Sequence, residues 1–192
     1  MNEIFFVIEK NDRKDLINLC LPEHILNHCK KKDEESIFTS LLSYSILERL
    51  LSVFNLDIEK LYFSDNGKPL LDGCYVSISH SNDFIIVSFA KINHGVDLQY
   101  HQLKVDKEKI MRRYFNKNLE EYLMKDEKEK INYFYRLWTL RESIIKKDDL
   151  ILFDEVDDNN LFTFTTTLNL NKGKYSLSFA SDFPFVVKEM HF

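Results

Sequence analysis

The sequence is short of the residues and runs that mark special classes of protein. It has 4 Gly and 3 Pro in 192 residues, with no low-complexity tract or linker, so nothing indicates disorder. Its 3 Cys are an odd number without disulfide spacing, which is typical of a reducing compartment. No apolar run approaches the roughly 20 residues of a membrane span, and Ile4–Ile8 is too short for a signal peptide. We therefore expect a cytoplasmic protein that does not bind membranes.

The rest of the composition is that of an ordinary globular protein. Hydrophobic residues make up 44% and charged residues 30% of the chain, and 16 Phe and 9 Tyr supply much of the core volume. The net charge of -5 argues against nucleic-acid binding. Basic residues are nevertheless dense at Lys104, Lys107, Lys109, Arg112, Arg113 and Lys117. This basic stretch is either a solvated helix face or a surface where an acidic protein docks, near Arg112, Arg113 and Lys117.

Hydrophobic periodicity and turn residues predict an alternation of helices and strands. The predicted helices are 12–20, 23–30, 33–54, 107–115, 119–124 and 128–147. The predicted strands are 3–8, 75–79, 84–90, 95–98, 162–168, 175–180 and 185–190. Helices followed by strands occur twice along the chain. This order favours an α+β fold of two halves, residues 1–100 and 101–192, which meet near His101.

The predicted helix over 134–147 carries charges that packing alone does not require. Glu142 and Lys146 stand one turn apart, away from the apolar surface of the helix. The pair is either a weak salt bridge on a solvated face or part of a functional site. Asp97 alone is a cap or turn residue. Together with Glu142 it offers the two carboxylates that Mg²⁺ usually takes from protein when phosphates and waters fill its other positions, so a diphosphate substrate fits.

Two other groups of residues carry side chains that could bind a ligand or a metal. Ser79-His80-Ser81 lies at the end of a predicted strand. It is either a turn whose hydroxyls cap the backbone or a group of side chains that bind phosphate oxygens. No Gly-x-Ser-x-Gly motif surrounds either serine, which disfavours a serine hydrolase. A zinc site is also disfavoured, because Pro22 interrupts the helix that would align its ligands and the spacing matches no standard pattern. The residues considered for zinc are Cys20, His24, His28 and Cys29.

Four motifs, taken in order, resemble those of the Sfp-type 4′-phosphopantetheinyl transferases. They are Gly67-Lys-Pro69, Ser79-His-Ser81, Gly95-Val-Asp97 and Trp138-Thr-Leu-Arg-Glu-Ser-Ile-Ile-Lys146. The likeness covers about residues 33–147. It implies a pseudo-dimer of two similar α+β halves, with coenzyme A and Mg²⁺ in the cleft between them. It also implies transfer of the 4′-phosphopantetheine arm to a serine of an apo acyl or peptidyl carrier protein, with release of adenosine 3′,5′-bisphosphate.

The resemblance also assigns roles by motif position. Asp97 and Glu142 would hold the metal, and Glu142 is our candidate for the base that takes the proton of the serine. Lys146 and His80 would meet phosphates of coenzyme A. Ser79, Lys68 and Pro69 would line the nucleotide end. Since both halves lie in one chain, a monomer is the simpler expectation.

The chain departs from the family pattern at several positions. Gln99 stands where the family usually has a second acid, so it would ligate Mg²⁺ through a neutral amide or leave that position to water. The segment 38–42 lacks an Arg that usually reaches the nucleotide phosphate, for which Lys30, Lys31 or Lys32 could substitute. Arg141 replaces a common Lys and cannot act as a base. The Gly-rich segment after the last motif is absent.

These departures leave two alternatives open. One is a non-catalytic module that binds coenzyme A or a carrier protein. The other is a structural α+β interaction protein.

Overall fold

The computed structural model describes residues 1–18, 20–30, 34–152, 154–156 and 159–192, without the side chains of residues 34 and 35. The strands are β1 (Asn2–Lys10), β2 (Tyr62–Phe63), β3 (Pro69–Leu71), β4 (Cys74–Ser81), β5 (Phe84–Ala90), β6 (His94–Tyr100), β7 (Phe162–Leu170), β8 (Gly173–Ser181) and β9 (Phe185–Glu189). The α-helices are α1 (Glu23–Lys30), α2 (Glu34–Val53), α3 (Lys107–Tyr114), α4 (Leu119–Met124) and α5 (Glu127–Asp148). Short 3₁₀ helices span Lys14–Leu16, Ile58–Lys60 and Asn116–Asn118. The α+β class predicted from the sequence is confirmed.

The helix predicted over 12–20 is wrong. Among the described residues of this range, only Lys14–Leu16 form a helical turn, which is 3₁₀, and Asp12 does not cap it. Tertiary contacts override the local pattern, because Asn18 donates its backbone N–H to Ser45 Oγ of α2 at 2.8 Å and Leu16 is buried in the core. Lys31 and Lys32, suggested above as substitutes for an arginine, lie outside the described residues.

The strands form two sheets that pack face to face between two long helices. Sheet 1 has the order β2-β3-β4-β5-β1-β9, and sheet 2 has the order β6-β8-β7. Alternate residues of β1 serve opposite faces of sheet 1. Val7 joins the core under α2, whereas Ile4 and Phe6 join the core that sheet 1 shares with Val96 and Phe179 of sheet 2. The resulting layers are α2, sheet 1, sheet 2 and α5.

β9 does not join β7 and β8 in sheet 2 but lies at the edge of sheet 1. β9 pairs in parallel with β1, with Phe185 opposite Asn2 and Val187 opposite Ile4. Sheet 1 therefore takes its edge strand from the end of the chain. Among the described residues, no helix combines the length and apolar character needed to cross a bilayer.

Gly95 lets α5 lie directly on β6. A Cβ built on Gly95 would stand 1.9 Å from the carbonyl oxygen of Ser143 and 2.6 Å from the backbone nitrogen of Lys147. Thr139 of α5 and Ser178 of β8, which face each other at this interface, are also small. Thr139 Oγ1 lies 2.7 Å from Ser178 Oγ, so this interface is closed by hydroxyl hydrogen bonds as well as by close backbone approach. α5 is thereby fixed next to Asp97 of β6.

Candidate functional site

A cavity of about 620 Å³ opens between α2 and β4 on one side and β6 and α5 on the other. The eight residues assigned to the site from the sequence all line it. They are Lys68, Pro69, Ser79, His80, Asp97, Gln99, Glu142 and Lys146. Residues separated by up to 78 positions in sequence thus meet around one space. Their roles are not fixed by this proximity, but their contacts are informative.

Asp97 is the most constrained group in the cavity. Its carboxylate is buried, and its Oδ1 accepts a hydrogen bond from Ser79 Oγ at 2.7 Å and another from Lys146 Nζ at 2.6 Å. Its Oδ2 is buried without a hydrogen-bond partner among the described residues. A buried carboxylate oxygen with no partner is costly, so Oδ2 is suited to a ligand that supplies positive charge.

Glu142, like Asp97, has a buried carboxylate oxygen, Oε1, without a hydrogen-bond partner among the described residues. Burial raises the pKa of Glu142, the charge of Asp97 raises it further, and Lys146 and Arg141 oppose the change. Two carboxylates that repel each other, each with an orphaned oxygen, fit a divalent cation with oxygen preference such as Mg²⁺. The described residues hold no group of three or more His, Cys, Asp or Glu side chains arranged for a metal.

The simpler interpretation of Glu142 and Lys146 as a salt bridge on a solvated face is wrong. Lys146 pairs with Asp97 on the neighbouring strand, and the described salt bridges do not include a Glu142–Lys146 pair. The reason is geometric: α5 lies against β6, so Lys146 reaches a buried carboxylate whose charge needs compensation more than that of a residue one turn away.

Lys68 belongs to a turn that holds the C-terminal end of α5. Lys68 Nζ donates to the carbonyl oxygen of Lys147 at 2.6 Å, and Asn66 Nδ2 donates to that of Asp149 at 2.6 Å. Both carbonyls lie at the negative end of the helix dipole, where cations and donors are stabilising. Burial lowers the pKa of Lys68. The sequence did not indicate this contact, because the partners are about eighty positions apart.

Lys147 and Lys107 are buried, which the sequence did not predict. Lys147 Nζ contacts Asp148 Oδ1 at 2.6 Å and Asp182 Oδ1 at 2.7 Å, which joins α5 to the loop before β9. Lys107, a member of the basic stretch, turns inward and donates to the carbonyls of Leu103 and Val105. Lys107 therefore does not belong to an exposed docking surface.

Two residues of the basic stretch border a second cavity of about 310 Å³. Arg113 and Lys117 are exposed and line it, together with Arg141 of α5. Arg112 is exposed and forms an i,i+4 salt bridge of 2.6 Å with Glu108. Arg141 Nη2 donates to the carbonyl of Asp154 at 2.7 Å, so this arginine fastens the segment after α5.

The first cavity also has an aromatic wall, which the sequence did not predict. The His28 ring stacks on Phe63 with centroids 3.8 Å apart and planes at 4°, and both rings meet Tyr44 edge-on. His28 and Tyr44 line the cavity. His28 was one of the residues considered for zinc, and its ring packs here as an aromatic side chain.

Comparison with known proteins identifies the family. A model of the 4′-phosphopantetheinyl transferase superfamily matches residues 93–188, which is half of the chain. The chain therefore belongs to this superfamily, and the resemblance to Sfp-type members drawn from the motifs is confirmed. The matched region contains Asp97, Gln99, Glu142 and Lys146.

Curated relatives agree with this assignment. The chain is 30% identical over 125 residues to the 4′-phosphopantetheinyl transferase Sfp of Bacillus subtilis (strain 168), covering 62% of this chain and 54% of the relative. It is 30% identical over 114 residues to the 4′-phosphopantetheinyl transferase gsp of Aneurinibacillus migulanus, covering 57% of this chain and 47% of the relative. The chain thus spans about half the length of the curated relatives it matches.

Proposed function

We propose that this protein transfers the 4′-phosphopantetheine arm of coenzyme A to a serine hydroxyl of an apo acyl or peptidyl carrier protein, in a Mg²⁺-dependent reaction. One observation carries the proposal. Asp97 of β6 and Glu142 of α5 each bring a buried, unpartnered oxygen to one cavity, beside the ammonium of Lys146. Membership of the transferase superfamily supports the same reaction.

The chain is proposed to consist of two α+β halves, residues 1–100 and 101–192, arranged as a pseudo-dimer around the cleft. Each sheet has one long helix on its outer face, α2 on sheet 1 and α5 on sheet 2, which supports this division. β6 and β9 would then be exchanged between the halves, since each pairs with strands of the other. Because both walls of the cavity come from one chain, a monomer would suffice for activity. The cytoplasmic location expected from the sequence stays a prediction.

Asp97 and Glu142 would hold Mg²⁺, with the amide oxygen of Gln99 as a third, uncharged ligand. The metal would neutralise charge on the diphosphate of coenzyme A. Gln99 lines the same cavity and is half-buried, which supports a place near the two acids. A neutral ligand in place of an acid predicts a weaker metal site than one with three carboxylates.

The chain's own residues account for the rest of the reaction. The serine oxygen of the carrier attacks the phosphorus that bears the pantetheine arm, and the bond from that phosphorus to the bridging oxygen breaks. Adenosine 3′,5′-bisphosphate leaves with that oxygen, and Glu142 takes the serine proton. Lys146 and His80 would contact the phosphates, and a fixed ammonium stabilises the transition state as negative charge moves onto the leaving group. Lys68 and Pro69 would border the nucleotide.

A non-catalytic module that binds coenzyme A or a carrier is the second candidate. Gln99 favours it, because the site carries one negative charge fewer than the family pattern provides. The presence of Asp97, Glu142 and Lys146 around one cavity favours the enzyme.

The deciding experiment weighs apo carrier proteins after incubation with the protein, coenzyme A and Mg²⁺. We expect a gain of one phosphopantetheine per carrier, lost with Asp97→Ala and with Glu142→Ala. No gain across acyl and peptidyl carriers would overturn the transferase proposal. Coenzyme A binding by calorimetry in that case would support the binding module.

A further inference from the structure

Three serines of β4 join sheet 1 to the free edge of sheet 2. Each hydroxyl oxygen accepts a backbone N–H from β6, in a register that advances by two residues on both strands. The pairs are Ser77 with Val96 at 3.0 Å, Ser79 with Leu98 at 3.2 Å and Ser81 with Tyr100 at 2.9 Å. These are the N–H groups that β6, an edge strand of sheet 2, does not use in its own ladder. The serines thus replace a missing neighbour strand.

Ser79 differs from the other two serines in the acceptor of its hydroxyl hydrogen. It donates to Asp97 Oδ1 at 2.7 Å, whereas neither Ser77 nor Ser81 donates to a carboxylate within the described part of the chain. A hydroxyl has one hydrogen. In this arrangement Ser79 has none left for a phosphate, and the residue is only 4% exposed.

The hydrogen bond has a consequence for the orientation of Asp97. Ser79 and Lys146 both bind Oδ1, one from β4 and one from α5. A carboxylate held on one oxygen from two directions cannot rotate freely, so the unpartnered Oδ2 keeps a fixed position at the cavity. Partners of this kind fix metal-binding carboxylates, and their loss typically weakens metal binding by about 10- to 100-fold.

We infer that Ser79 is a positioning residue that orients Asp97 toward the metal. This inference rests on the proposed function, because it supposes that Asp97 is a metal ligand. It gives Ser79 a role beyond the place at the nucleotide end that the family resemblance implied.

Binding of Mn²⁺, measured by electron paramagnetic resonance with and without coenzyme A, tests the inference apart from turnover. Four proteins are compared: wild type, Ser79→Ala, Ser79→Thr and Ser81→Ala. Ser81→Ala is the matched control, since it removes the same kind of hydrogen bond to β6 and no contact to a carboxylate. Thermal unfolding of all four proteins measures the structural cost of each change.

We expect the Kd for Mn²⁺ to rise by about 10-fold in Ser79→Ala and to stay near wild type in Ser79→Thr and Ser81→Ala. The KM for coenzyme A should change little in Ser79→Ala. An unchanged Mn²⁺ affinity in Ser79→Ala with a raised KM for coenzyme A would overturn the inference and leave the proposed function intact. Equal loss of Mn²⁺ affinity in Ser81→Ala would overturn it as well, since the effect would then be structural. A wild-type protein that binds Mn²⁺ in neither condition would overturn both proposals.

Discussion

Lys146 and Asp97 form an ion pair of 2.6 Å between α5 and β6, in which the carboxylate side chain is 6% exposed and the lysine side chain 29%. The ammonium is therefore the cation that compensates Asp97 in this structure. A divalent cation bound by Asp97 and Glu142 would lie in the field of the same ammonium. Lys146 thus has two opposed effects, since it would stabilise a diphosphate and would repel the metal that binds it.

Replacing Lys146 by Met removes the charge and keeps most of the apolar stem. We expect transfer to fall by more than about 100-fold, because the ammonium no longer stabilises the leaving group. Mn²⁺ should bind about fivefold tighter, because Ser79 still holds Asp97 and a neighbouring positive charge costs on the order of 1 kcal/mol. Calorimetry or paramagnetic resonance gives the Kd. Weaker Mn²⁺ binding in Lys146→Met would show that the lysine helps the metal site by holding Asp97 and does not compete with the cation.

Gln99→Glu restores a negative charge near the two acids. The Mg²⁺ concentration for half-maximal transfer should fall roughly tenfold, as expected for one unit charge added close to a dication. Gln102→Glu, an exposed position outside the cavity, is the matched control and should leave the metal requirement unchanged. If Gln99→Glu also leaves it unchanged, this position does not reach the ion.

The sequence predicted which residues lie together around the cavity, and it predicted the connections around them poorly. Periodicity gave α2 and α5 within a residue at either end, because their apolar positions repeat without Gly or Pro. The eight residues that the motifs assigned to the site all line one cavity. The motifs could not reveal that Ser79 donates its hydrogen to Asp97, because the direction of that hydrogen bond depends on how the two sheets pack. The pairing of β9 with β1 joins residues about 180 positions apart and leaves no local signal.

Charge reversal at the second cavity tests carrier docking. Arg113 and Lys117 are exposed and line this cavity, whereas Arg112 is not among its lining residues. The double variant Arg113→Glu, Lys117→Glu should raise the KM for an acidic carrier about tenfold at low salt and less at high salt, with little change in the KM for coenzyme A. The exposed pair Lys60→Glu, Lys91→Glu changes the net charge equally and is the control. Equal effects of both pairs would indicate a general charge effect and not docking.

Gly95→Ala should displace α5 and impair both folding and transfer. Its Cβ would meet backbone atoms of Ser143 and Lys147, which cannot move without moving the helix. We expect a loss of about 3 kcal/mol or more in the free energy of unfolding, at the upper end for an overpacked core. Gly73→Asn is the control, because nothing lies within 4 Å of a Cβ there and Asn tolerates the positive φ of 78°. A fully stable Gly95→Ala would mean that α5 and β6 are not in such close contact.

The buried histidine His94 makes the stability of the fold depend on pH. Burial lowers the pKa of His94 from 6.5 to about 4, and the nearby charge of Lys68 adds to this, against an opposing hydrogen bond to the Ile92 carbonyl. Above pH 6.5 the imidazole is neutral in the folded and the unfolded chain. Between pH 6.5 and 4 the unfolded chain takes up a proton that the folded chain does not, so stability falls as the pH falls.

For His94 alone the loss amounts to about 2 kcal/mol between pH 7 and pH 5. Urea unfolding of wild type and His94→Gln at both values measures it, because the variant lacks this proton uptake. Gln loses the ring's packing and its 2.8 Å hydrogen bond to Ser88 Oγ, so His94→Gln should be less stable at pH 7. The difference from wild type should shrink by about 2 kcal/mol at pH 5. A difference that is constant across this range would mean that His94 is not held neutral by the fold.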